Sequence, residues 1–334
     1  MSRSKLKDTD YLSISARIRA MENKMLTRER MERMLEARSD EEAAKVLTEC
    51  GYGDFSVLTP AVLEEKLSAA RGATYEDLRS ALPDPNLIDV FRIKYDYHNI
   101  KVLLKSQAIG ADETRLLVGG GRYPANALRE AYYKEDLRNF SERFRAAVSE
   151  AKETLATSGD PQAADFVLDK AYFEEMTSTA MKTESDFLMG YVKLAIDAAN
   201  LRAAVRAARM ERGADFLSQV LVPGGNVSEK TVAAAGASEL ATIFGSGKLA
   251  EAAALGATLT SAGSGHLTEF ERLCDNALMG YLAESRRVPF GDQVPVTFCY
   301  AKEAELTAIR IIMTGRMAGL DTQTIRERLR ESYV

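Results

Sequence analysis

Apolar residues recur in steps of four and three along three segments of the chain. Phe187, Tyr191, Leu194, Ala198, Leu201, Val205 and Ala208 form the longest series. On a helix they make one continuous stripe, with Lys193, Arg202, Arg206 and Arg209 on other faces. Ile93, Tyr97, Ile100, Leu104 and Ala108 form a second stripe, and Leu306, Ile309, Met313, Met317 and Leu320 a third. No sustained alternating run with turn dipeptides competes with them. Pro60, Pro83, Pro85, Pro124, Pro161, Pro223, Pro289 and Pro295 fall between the stripes, where a missing backbone N–H is tolerated. The pattern predicts an all-α fold.

The three stripes are alike in sequence. The first carries Asp96, Asn99, Ile100 and Lys101, and the second Asp197, Asn200, Leu201 and Arg202. The third keeps the acid, the aliphatic and the base as Glu305, Ile309 and Arg310, but has Ala308 where the others have Asn. A glycine follows each stripe: Gly110, Gly213 and Gly319. The glycine-rich residues 116–123 and 220–227 also match, each leading into a new helical segment. One unit of roughly a hundred residues used three times predicts helical repeats at 1–120, 121–225 and 226–334. Residues five apart on a helix point about 140° away from each other. Asp96 and Lys101 therefore look for partners on neighbouring helices or in solvent. The repeated polar residues are expected to make fold-defining contacts between helices, with a catalytic carboxylate as the alternative.

Composition narrows the function classes. A chain of 334 residues exceeds what one core needs, so two or three structural units are expected. With 46% hydrophobic and 28% charged residues it is neither disordered nor collagen-like. Forty-four basic against 49 acidic side chains give a net charge of −5, without the basic excess of a nucleic-acid binder. The same charge disfavours direct binding to anionic lipid. Cys50, Cys274 and Cys299 are odd in number and far apart, which argues against a disulfide framework and for a reducing compartment. The polar start, residues 1–8, does not read as a signal peptide. The most apolar stretch, residues 230–266, is broken by Glu239, Lys248, Glu251 and glycines, so no direct membrane insertion is expected.

Reactive chemistry is thinly supplied. A di-iron bundle needs Glu three residues before His, whereas Tyr95 and Gly263 precede His98 and His266 at that distance; no metal site is expected. Phe244 to Leu249 imitates a phosphate loop, yet Thr242 stands where its first Gly belongs and Leu249 where Ser or Thr would hold magnesium. The segment Gly119 to Arg122 lacks the Lys as well. No nucleotide or other cofactor is expected, and no cysteine has a histidine near it in sequence.

The opening Tyr11 to Met21, the segments Tyr95 to Lys101 and Ile196 to Arg202, and the close from Ala301 through Glu305, Arg310 and Gly319 resemble the C subunits of prokaryotic V/A-type ATPases (ATP synthases). The eukaryotic counterpart is the d subunit of the V-ATPase. The similarity runs from about Tyr11 to Val334. It implies three similar helical subdomains with pseudo-threefold symmetry, forming a funnel or cup. It also implies a non-catalytic rotor component on the cytoplasmic side of the membrane, peripheral through protein contacts. There it joins the central-stalk subunits to the membrane proteolipid ring for ATP-linked H+ or Na+ transport. The family offers no short contact motif to carry over, so partner-binding residues stay unassigned. Residues between the repeated helices, such as Arg286 to Gly291, are candidate contact elements or solvated loops. Two rival readings are a general helical adaptor and a helical enzyme using Asp96, Asp197 and Glu305. Solenoid adaptors repeat every 20–50 residues, roughly half the period found here or less.

Overall fold

The computed structural model describes residues 6–55, 57–262 and 265–334. Residues 1–5 of the polar start, and Gly263 of the histidine spacing, lie outside them. The described residues form sixteen α-helices and no strand, as the stripes predict. In chain order they are α1 (Leu12–Glu22), α2 (Arg28–Glu36), α3 (Asp40–Glu49), α4 (Pro60–Ala81), α5 (Asn86–Ile109), α6 (Ala125–Tyr133), α7 (Glu142–Ser158) and α8 (Pro161–Met181). There follow α9 (Asp186–Arg209), α10 (Ala214–Val220), α11 (Glu229–Ala234), α12 (Leu240–Ile243), α13 (Ala250–Ala262), α14 (Thr268–Leu282), α15 (Gln293–Met317) and α16 (Thr322–Arg328).

Local sequence sets many of the boundaries. Thr27, Ser39, Thr59, Ser141, Asp160, Ser185 and Asp321 each accept a backbone N–H of the first turn that follows them. Pro60 and Pro161 open α4 and α8, where the missing N–H has no intrahelical partner to lose. Pro295 falls inside α15 rather than before it, but in the first turn, where the same argument holds. Gly110 and Gly319 end α5 and α15 in the left-handed conformation. The third stripe therefore stops short of Leu320, which lies past the helix end and is 39% exposed. After α9 the left-handed residue is Glu211, and Gly213 instead precedes α10 in an extended conformation.

The chain divides into two compact units: Met1–Asp84 with Ala235–Val334, and Pro85–Ala234. In the second unit, Ile93, Tyr97, Ile100 and Leu104 of α5 pack with Leu128 and Tyr132 of α6, Phe144 and Val148 of α7 and Leu168 of α8. In the first, Leu306, Ile309, Ile312 and Met313 of α15 pack with Met31 and Met34 of α2, Leu47 of α3 and Leu63 and Leu67 of α4. The beginning and the end of the chain thus share one core. Burying a leucine or isoleucine this fully is worth about 1.5–3 kcal/mol, so each core outweighs its surface ion pairs.

Candidate functional site

The three long helices each bury a polar cluster in their middle third. Asp96 on α5 is fully buried, and Asn99 one turn on is 1% exposed. Asn99 donates from Nδ2 to the carbonyl of Val118 and accepts the Val118 N–H at Oδ1, both at 2.9 Å. One side-chain amide thereby satisfies both backbone groups of a linker residue outside any helix. Asp96 accepts from the Tyr123 N–H (3.3 Å) and from Arg122 Nε (2.6 Å). Arg122 continues to Glu175 of α8 (2.8 Å), whose carboxylate also accepts from Ser141 (2.7 Å) and Tyr97 (2.9 Å). Arg92 holds the Gly121 carbonyl at 2.6 Å.

Helix α9 repeats the arrangement. Asn200 exchanges both hydrogen bonds with Val222 at 2.8 Å. Asp197 accepts from Val227 N (3.0 Å), Asn226 N (3.1 Å) and Asn226 Nδ2 (2.8 Å). Both linkers bring backbone directly onto the carboxylate. A Cβ at Gly121 would lie 2.3 Å from Asp96 Oδ1, and one at Gly225 2.2 Å from Asp197 Oδ1. The preceding Gly120 and Gly224 take φ values of 97° and 99°, so each glycine pair serves one steric and one conformational need.

On α15, Glu305 accepts from the Leu26 N–H (3.0 Å), from Lys302 Nζ (2.8 Å) and from the Tyr52 hydroxyl. Two of the repeated bases reach a further long helix of their own unit. Lys101 meets Asp169 of α8 at 2.6 Å, and Arg310 meets Glu64 of α4 at 2.9 Å. Arg202 is half-buried on α9.

Burial sets the protonation of these groups. It pushes Asp96 up to about 6 against the pull of Arg122 and the Tyr123 N–H. It raises Asp197 too, partly offset by Val227 and Asn226. Burial also works to raise Glu175, but Arg122, Ser141 and Tyr97 outweigh it and leave that carboxyl below its usual range. The linker backbone and local counter-charges occupy all three repeated acids, so the arrangement fastens chain segments to a helix. Sequence spacing alone does not reveal Arg122, Glu175, Leu26 or Tyr52 as partners. The doubled glycines ahead of Tyr123 and Val227 are the available signal.

A family model for the ATP synthase (C/AC39) subunit matches residues 14–328, almost the whole length that carries these clusters. The chain belongs to that family. It is 21% identical to the C subunit of the V-type sodium ATPase of Enterococcus hirae, over 97% of this chain and 99% of the relative. It is 26% identical to the C subunit of the A-type ATP synthase of Methanocaldococcus jannaschii, over 96% and 86%, and 24% identical to that of Thermococcus onnurineus, over 96% and 90%. Membership in the C/AC39 family makes the chain a structural part of an ATP synthase complex, not the catalytic one.

The remaining candidates take structural places in this family member. Lys248 of the glycine-rich imitation pairs with Glu284, and the helix α12, not a strand, leads into it. His98 lies with Nε2 3.3 Å from the Leu116 carbonyl oxygen. All three cysteines are buried as free thiols, and burial pushes Cys50 and Cys299 up. Of the segment Arg286 to Gly291, the Val288 carbonyl accepts from Arg19 (2.9 Å) and Arg286 covers the Tyr333 ring. No helix among the described residues is long and apolar enough to cross a membrane.

The raised Asp96 gives a pH test. Its native form holds a proton between about 4 and about 6 where the unfolded chain has lost it. The stability so contributed is fully present below about pH 4 and is lost as pH rises through 6. A rise from about 4 to about 6 corresponds to about 3 kcal/mol. Asp96→Asn fixes the neutral form, so wild type should gain on the variant as pH falls from 7 to 4. Thermal melts of both proteins across that range read the difference; a constant gap would refute the upward shift.

Proposed function

We propose that this member of an ATP synthase complex couples a central stalk to a membrane proteolipid ring, bound at the cytoplasmic face through protein contacts and transmitting torque between the two. The match over residues 14–328 carries the proposal. Torque transmission asks for bodies that do not yield and for two surfaces held at once, not for a reactive group. Close-packed helices resist deformation. Buried clasps such as Asn200 on Val222 and Asp197 on residues 226–227 tie the connecting segments to those helices, so load on a linker passes into a core. Three helical repeats, marked by Asp96, Asn99 and Lys101, by Asp197, Asn200 and Arg202, and by Glu305 and Arg310, are part of the same reading.

Co-expression with the central-stalk subunits of the same genome, followed by native mass spectrometry, tests it. A single stoichiometric complex that also captures the detergent-solubilised ring is expected. A chain that stays alone with both partners present would sink the coupling role.

A further inference from the structure

We propose that the two ends of the chain together form one complete repeat, closed without a covalent bond, with Glu305 as its clasp. The inference rests on the three-repeat reading and not on the coupling role.

The cluster on α5 supplies the reference. Its acid holds the N–H of Tyr123, the residue just before the cap of α6. Its base, five residues on, meets the acid after a buried leucine in α8: Leu168, then Asp169. Helix α15 meets the same two features at the other end of the chain. Glu305 holds the N–H of Leu26, the residue just before the cap of α2. Arg310, five residues on, meets the acid after a buried leucine in α4: Leu63, then Glu64. Helix α15 with α2, α3 and α4 thus stands where α5 stands with α6, α7 and α8, and each set encloses its own core.

The departures of the third stripe follow from this closure. Asp96 and Asp197 are short, so their linkers must approach through Gly121 and Gly225. The segment before Leu26 has Asn23, Lys24 and Met25 instead, and Glu305 spans the extra distance with one more methylene. Asn99 and Asn200 serve residues outside any helix, whose backbone groups need a partner. Ahead of Leu26 the chain is the helix α1, packed on α15, whose backbone is satisfied internally, and Ala308 replaces Asn. Further ties cross the seam. Arg316 donates to the carbonyls of Leu35 (3.0 Å) and Ala37 (2.9 Å), Arg326 meets Glu32 at 2.8 Å, and the Ser332 hydroxyl reaches the Leu26 carbonyl at 3.4 Å.

Hydrogen exchange of the full chain tests the seam. Glu305→Gln replaces one acceptor oxygen by an amide donor, which must face either the Leu26 N–H or Lys302 and Tyr52, and removes the charge beside Lys302. Exchange should then rise about tenfold in α2, α3 and α15 together while α5–α8 keep their protection. Arg316→Ala, acting far from the clasp, should give the same pattern and serves if the first variant does not fold. A rise confined to one side of the seam, a uniform rise in all helices, or no change overturns the proposal. Asn99→Ala, which leaves both backbone groups of Val118 without their partner, is the companion: a rise limited to α5–α8 upholds the repeat on its own, and its absence removes the three-repeat reading instead.

Discussion

An Arg122→Met variant should lose about 3–5 kcal/mol of folding stability, the scale seen when one partner of a buried charge cluster is removed. Met matches much of the length of the arginine stem but carries no charge. It leaves Asp96, fully buried, and Glu175, 5% exposed, facing each other without the cation that bridges them at 2.6 and 2.8 Å. The remaining donors on Glu175, Ser141 and Tyr97, supply hydrogen bonds but no charge. The cheapest response is for a carboxyl to keep its proton, so the loss should be largest near pH 8 and shrink toward pH 5. Urea unfolding at both pH values reads this as a shift in midpoint at constant slope. A loss below about 1 kcal/mol at pH 8 would show that the cluster is not held by its charge.

Gly225→Ala should cost about 2 kcal/mol, a large penalty for one methyl group. The added carbon would lie 2.2 Å from Asp197 Oδ1 and 3.1 Å from its Cγ. The carboxylate has to move, and the N–H groups of Asn226 and Val227 then lose their acceptor. Asn226 is exposed and Val227 half-buried, so water meets part of the loss and each orphaned donor costs about 1 kcal/mol. Gly72→Ala is the matched control. It lies inside α4 with nothing within 4 Å of its added carbon, and there alanine should stabilise by up to about 1 kcal/mol. Opposite signs from the same chemical change, measured by thermal unfolding, separate the steric account from a general intolerance of substitution. Equal effects at both positions would defeat it.

What the sequence reveals follows the range of each interaction. The stripes on α5, α9 and α15 are read within a few turns, because helical periodicity is local. Asp96, Asn99 and Lys101 stand out for the same reason: they share one helix. Their partners do not. Asn99 meets a residue 19 positions away, Asp96 one 27 away and Lys101 one 68 away. For Glu305 the distances are 279 to Leu26 and 253 to Tyr52. No periodicity links positions so far apart, and Arg122 stands out in the sequence only as part of a loop that fails to fit phosphate. The end of α9 differs from those of α5 and α15, because its left-handed residue is Glu211 and not the nearby Gly213. Glutamate in that conformation leaves no mark in a sequence.

The shared core of α2–α4 and α15 also bears on how the chain is made. A ribosome releases Met31, Leu47 and Leu63 long before it has built Ile309 and Met313, against which they pack. At synthesis rates of about 5–20 residues per second, that interval is on the order of ten seconds to a minute. Throughout it α2–α4 lack the helix that completes their core, while α5–α8, contiguous in sequence, can already pack. Nascent chains stalled before α15 should therefore bind holding chaperones through their first eighty residues or so, and completion of the last helices should release them.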